Sequence, residues 1–77
     1  MQVKFLYNQE NQDLFVIFPT DTFKGAFGDK LCTCYSSGQH STCSMDYVQE
    51  SKEADEIQYK SLLNELIQIG YMNLEIV

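Results

Sequence analysis

Asp55-Glu56-Ile57-Gln58-Tyr59-Lys60-Ser61-Leu62-Leu63-Asn64-Glu65-Leu66-Ile67-Gln68-Ile69-Gly70 is the stretch on which the fold turns. Tyr59, Leu62, Leu63, Leu66 and Ile69 recur at helical spacing and line one apolar stripe. The stretch also carries its own start and stop. Asp55 is an N-cap acceptor, and Gln58, three residues on, completes a capping box. Glu56 and Lys60 stand four apart on the wet side, in the favourable order. Gly70 supplies the left-handed position that closes helices. A helix over 56–69 with one apolar side needs a second layer to cover that side.

The second layer lies upstream. Residues 2–7 place Val3, Phe5 and Tyr7 on one face of a strand, with Lys4 opposite. A polar turn over 8–13 leads into Leu14-Phe15-Val16-Ile17-Phe18, which Pro19, lacking a backbone donor, is expected to end. Residues 19–30, with Gly25 and Gly28, read as a loop whose Phe23 and Phe27 fold back onto the body. Leu31-Cys32-Thr33-Cys34-Tyr35 is the third strand, and the small polar residues 36–42 form a loop. Residues 44–50 make a short helical turn, with Ser44 as N-cap and Tyr47 and Val48 facing inward. Met72 to Val77 alternate as a terminal strand. The expected architecture is a two-layer α+β domain over residues 1–77. It is a small, mostly antiparallel sheet in the order β-β-β-α-β, with one main helix packed on one face.

The second strand is apolar on both sides: Leu14, Val16 and Phe18 point one way, Phe15 and Ile17 the other. One helix cannot cover both faces. The 19–30 loop, a second protomer or a partner is therefore expected over the far face. A chain this short buries only about 60% of its unfolded surface, so a second subunit would also add stability. A homodimer or a protein partner follows as the expected state.

Composition narrows the function. Eleven acidic residues stand against five lysines, with no arginine, for a formal charge of −6. That balance removes the basic footprint that phosphate backbones demand, so direct nucleic-acid binding is not expected. The longest apolar run, Leu14 to Phe18, is far short of the roughly 20 residues a bilayer span needs. Met1-Gln2-Val3-Lys4-Phe5 lacks the basic start and long apolar run of a secretory signal. Three cysteines, an odd number, argue against a secreted disulfide framework. The expectation is a cytoplasmic protein with reduced thiols.

Four constellations bear on chemistry. Cys32-x-Cys34-x5-His40-x2-Cys43 offers four ligands of the kind a tetrahedral zinc site uses. Its spacing matches none of the common patterns, and buried free cysteines usually act as small core hydrophobes. Cys43 or Cys34 with His40 as base, and Asp46 to orient the ring, would form a nucleophilic pair. A chain of 77 residues leaves little room for a substrate cavity, so an enzyme is not the expectation. The acidic segment 46–56 holds Asp46, Glu50, Glu53, Asp55 and Glu56 against Lys52, a net −4 that a nucleic-acid mimic would use. Capping explains Asp55 and Glu56 without it. The Ser/Gly loop 36–42 lacks the glycine pattern and nearby lysine of an anion cradle.

The pattern Tyr35-x-x-Gly38-Gln39-His40-Ser41, then Asp46-Tyr47, then Tyr59-x-x-Leu62-x-x-Glu65-Leu66-x-x-Ile69-Gly70-Tyr71 spans about half of the chain. It resembles a group of short uncharacterised proteins from gut-type bacteria and their phages or mobile elements. The tetrad Gly38-Gln39-His40-Ser41 is its most distinctive piece. In that group the helix opens with a Thr-Pro pair, where this chain has Asp55-Glu56, and the cysteines lie outside the pattern. The resemblance implies a phage or mobile-element setting and carries no catalytic or binding residue with it.

The function these residues favour is a small cytoplasmic interaction or accessory protein that binds a protein partner without a cofactor. The expected contact residues are Tyr35, Gly38, Gln39, His40 and Tyr71, with Gln39 and His40 exposed on the loop 36–43. The alternatives are a zinc- or thiol-dependent protein built on Cys32, Cys34, His40 and Cys43, and an acidic nucleic-acid mimic.

Overall fold

The computed structural model describes residues 1–36 and 38–77. The stretch that decides the fold forms helix α2, Glu56–Gln68, behind the N-cap Asp55. Both halves of the capping box are made. Asp55 Oδ1 accepts from the Gln58 N–H at 2.8 Å, and Gln58 Oε1 accepts from the Asp55 N–H at 3.0 Å. Leu62 and Leu66 are buried, with Tyr59 and Leu63 half-buried beside them. Ile69, at the C-cap, departs from the expected stripe and is half exposed.

The strands are β1 Gln2–Asn8, β2 Asp13–Lys24, β3 Lys30–Ser36, β4 Gln39–Ser44, β5 Lys52–Glu53 and β6 Glu75–Ile76. They form one sheet in the order β4-β3-β2-β1-β5, and β6 pairs with β1 beside β5. All the pairings are antiparallel except β1 with β6, where Gln2 meets Glu75 and Val3 meets Ile76. The α+β class with one main helix against a small sheet therefore holds. The terminal strand is shorter than the 72–77 alternation implied.

Two segments expected as loops are strand. β2 runs through Pro19 to Lys24 because the ladder is interrupted there. Ile17 pairs with Cys34 and Thr22 with Cys32, so Phe18–Asp21 stand opposite Thr33 alone. Within such a bulge Pro19 forfeits no ladder hydrogen bond. The Thr33 hydroxyl donates to Asp21 Oδ2 at 2.6 Å across the gap. The hairpin then turns at Gly25–Asp29, and its aromatics do not fold back: Phe23 is partly exposed and Phe27 is 98% exposed. Residues 39–44 are the second case. They pair with β3 in unbroken register from Ser36 with Gln39 to Leu31 with Ser44. Ser37, which the loop reading included, lies outside the described residues.

The far face of the sheet has its own cover. Helix α1, Met45–Glu50, starts at Ser44, whose hydroxyl accepts from the Tyr47 N–H at 3.2 Å. Met45, Tyr47 and Val48, with Cys43, pack against Leu6, Phe15, Ile17, Cys32 and Cys34. The Tyr47 hydroxyl donates to Asp13 Oδ2 at 3.0 Å, which ties the helix down at its outer side. The 19–30 segment does not reach this face, over which that loop, a second protomer or a partner was expected; within the chain, the cover is the helical turn. Its six residues suffice because the face they cover is short. The opposite core holds Val3, Phe5, Val16, Phe18, Tyr35 and Ala54 against Leu62 and Leu66, with the Tyr59 ring stacked on Phe5 at 4.4 Å.

Candidate functional site

The end of α2 delivers an aromatic side chain to the sheet. The Tyr71 N–H donates to the Leu66 carbonyl and the Gly70 N–H to the Ile67 carbonyl, each at 3.2 Å. These are the two bonds of a Schellman motif, in which the residue after the glycine packs on the helix's last turn. Gly70 has φ +116, a backbone region that side chains strain to enter. Gly70→Ala is expected to cost about 1–2 kcal/mol, read as a lower midpoint in thermal unfolding. An unchanged midpoint would mean that this turn does not depend on glycine.

The motif sets Tyr71 against Phe18, ring centroids 5.4 Å apart. From the sheet side, the β3–β4 register pairs Tyr35 with His40, so both project on the α2 face. His40 Nε2 and the Tyr71 hydroxyl are hydrogen-bonded at 2.7 Å. The His40 ring meets Tyr35 edge-on at 4.9 Å and lies over Phe18 at 6.3 Å. Of the expected contact residues, Tyr35, His40 and Tyr71 are thus brought together, although the first and last lie 36 positions apart in sequence.

Their roles differ. Gln39 and His40 are exposed, as expected, though on a strand rather than a loop. Tyr71 is half-buried, and Gly38 is exposed in the turn at φ +79. Tyr35 is 2% exposed and offers a partner no surface. Its hydroxyl donates to Glu65 Oε1 at 2.7 Å, so it positions His40 from below. That hydrogen bond to a carboxylate, with burial second, raises the phenol above its ordinary pKa.

A shallow concavity of about 350 Å³ opens beside this cluster, lined by His40, Ile69, Gly70 and Tyr71. On the other side of Tyr71 a second, of about 370 Å³, is lined by residues that include Leu63, Ile67, Met72, Leu74 and Ile76. Ile67, Ile69, Met72 and Ile76 are each 44–78% exposed. The aromatic pattern led to one side of Tyr71 only. Phe18, Glu65 and this apolar rim were missed, and the run Ile67-x-Ile69-x-x-Met72 around a helix stop is the signal that points to them.

The cysteine constellation does not close. Cys32 pairs with Cys43 and Cys34 with Ser41, so the three thiols lie on the α1 face, opposite the face to which His40 projects. Among the described residues, no three His, Cys, Asp or Glu side chains are grouped to hold a metal ion. The fourth zinc ligand is therefore on the wrong side of the sheet. Cys32 and Cys34 are buried among Leu6, Phe15 and Ile17 as core residues. Burial, then the Cys34 and Asp21 charges, raises the Cys32 thiol pKa.

The same separation removes a Cys/His pair: His40 reaches a phenol, not a thiol. Asp46, the residue expected to orient its ring, sits on α1 across the sheet. The acidic segment is divided among α1, β5 and the start of α2, where Asp55 is spent on capping. Among the described residues no helix is long and apolar enough to cross a membrane. Comparison with models of known protein families, with curated proteins and with solved structures finds no match to this chain.

Proposed function

We propose that this chain is a small cytoplasmic accessory protein, of phage or mobile-element origin, that binds a protein partner on the surface centred on Tyr71. The observation that carries the reading is the position of Tyr71 between two concavities, ringed by exposed Ile67, Ile69, Met72 and Ile76. Exposed apolar side chains gathered around concavities are where protein contacts are commonly made. An aromatic ring with a polar end, here held by His40, suits the centre of a protein interface. Gln39 and His40 form its polar rim.

The test compares the wild-type chain with an Ile67→Asp/Met72→Asp variant, both used as bait in the source cell. A protein enriched by the wild type is expected to fall at least about tenfold with the variant, since two charges in an apolar contact cost over 1.4 kcal/mol. The variant's circular dichroism should match the parent, because both side chains are exposed. If no protein distinguishes the two baits, the reading fails.

A further inference from the structure

The far face of the sheet holds a feature that the partner-binding reading does not use. Cys34 on β3 and Cys43 on β4 are in direct contact: the Cys43 thiol donates to Cys34 Sγ at 2.8 Å. A disulfide bond is about 2.05 Å long, so the two sulfurs lie within about one ångström of bonding distance, across a diagonal of the ladder. Cys32 is the residue directly across from Cys43, yet the sulfur contact is made to Cys34. The Ser41 hydroxyl lies 3.2 Å from Cys34 Sγ on its other side. Cys34 is 2% exposed, whereas Cys43, on the sheet's edge strand, is half-buried and the more exposed residue of the two.

We propose that Cys34 and Cys43 form a specific oxidation site, which a low-molecular-weight disulfide converts to a β3–β4 cross-strand disulfide while Cys32 remains a thiol. The thiolate of Cys43 attacks one sulfur of the small disulfide. That S–S bond breaks, and the departing thiolate takes its electron pair and a proton. Cys34 Sγ then attacks the Cys43 sulfur of the mixed disulfide, loses its proton and releases the second small thiol. Two protein thiols are oxidised by two electrons, and one small disulfide is reduced to two thiols. The new bond fixes the edge strand that carries Gln39 and His40. Burial, followed by the hydrogen bond to Cys34, pushes the Cys43 thiol up, so the reaction is slow at neutral pH and accelerates as the solution is made alkaline.

The experiment treats the native protein with oxidised glutathione and follows intact mass and free thiols. The expected product has lost two hydrogen atoms and retains one of its three thiols. Alkylation and fragmentation place the remaining label on Cys32. The Cys32→Ser protein undergoes the same loss, and the Cys43→Ser protein does not. Closing a loop of this size raises the unfolding midpoint by roughly 10–20 °C. Three outcomes overturn the proposal: a residual label on Cys34, a product that stops at the glutathione adduct, or a native chain that keeps all its thiols while the denatured chain loses them.

Discussion

Leu66→Ala is expected to lower the stability of the fold by about 3–4 kcal/mol, as truncation of a fully buried leucine does when the site cannot collapse. Leu66 has no exposed surface and sits between the sheet's Val3, Phe5, Val16 and Phe18. Its surroundings are held on three sides. The sheet lies below, Tyr59 is stacked on Phe5 at one end, and the Schellman turn at the other uses the Leu66 carbonyl itself. A chain of this size has a total of roughly 4–12 kcal/mol to lose, so the variant approaches the unfolding threshold. The midpoint should fall by roughly 15–25 °C. Urea denaturation followed by circular dichroism checks this, and a loss below about 1 kcal/mol would mean that α2 is not seated on the sheet as described.

Phe15→Ala addresses the other face, with an expected loss of about 3–5 kcal/mol. Phe15 is 1% exposed under α1, its ring 5.4 Å from that of Tyr47. Because α1 is the cover, the parent's unfolding midpoint should not change over a tenfold range of protein concentration. A fold completed by a second copy would become more stable as concentration rises. A concentration-dependent midpoint, together with a small effect of Phe15→Ala, would overturn the assignment of α1 as the lid on that face.

The parts of the fold legible in the sequence are those whose signals are local. The capping box, the stripe of Tyr59, Leu62 and Leu66, and the Gly70 stop depend on residues within one turn of each other, and each is found in place. The unread parts depend on pairing. Gln39 to Thr42 have no apolar alternation because this part of the edge strand is exposed on both sides and needs none; only its register with β3 makes it a strand. Pro19 is a terminator in a regular ladder and a tolerated residue in a bulge, and the bulge is fixed by β3, not by the residues beside it. The same logic governs the site. Tyr35, His40 and Tyr71 were recognisable as a group, but Tyr35's burial follows from α2 lying over it, with Glu65 at its hydroxyl. Likewise His40 and the cysteines are close in sequence, and the alternation of β4 sends them to opposite faces.

The two margins of the sheet are unequal. β4 presents a regular six-residue strand, without Lys, Asp, Glu or Pro, and no strand is paired to its outer side among the described residues. The opposite margin is broken into β5 and β6, two residues each. Short edge strands resist strand addition, whereas a regular uncharged one accepts it. Growth into a fibre requires an acceptor at both margins of every molecule, and among the described residues this molecule offers one regular edge strand. Edge-to-edge assembly would therefore terminate at a pair, which makes the architecture self-limiting despite an unguarded strand.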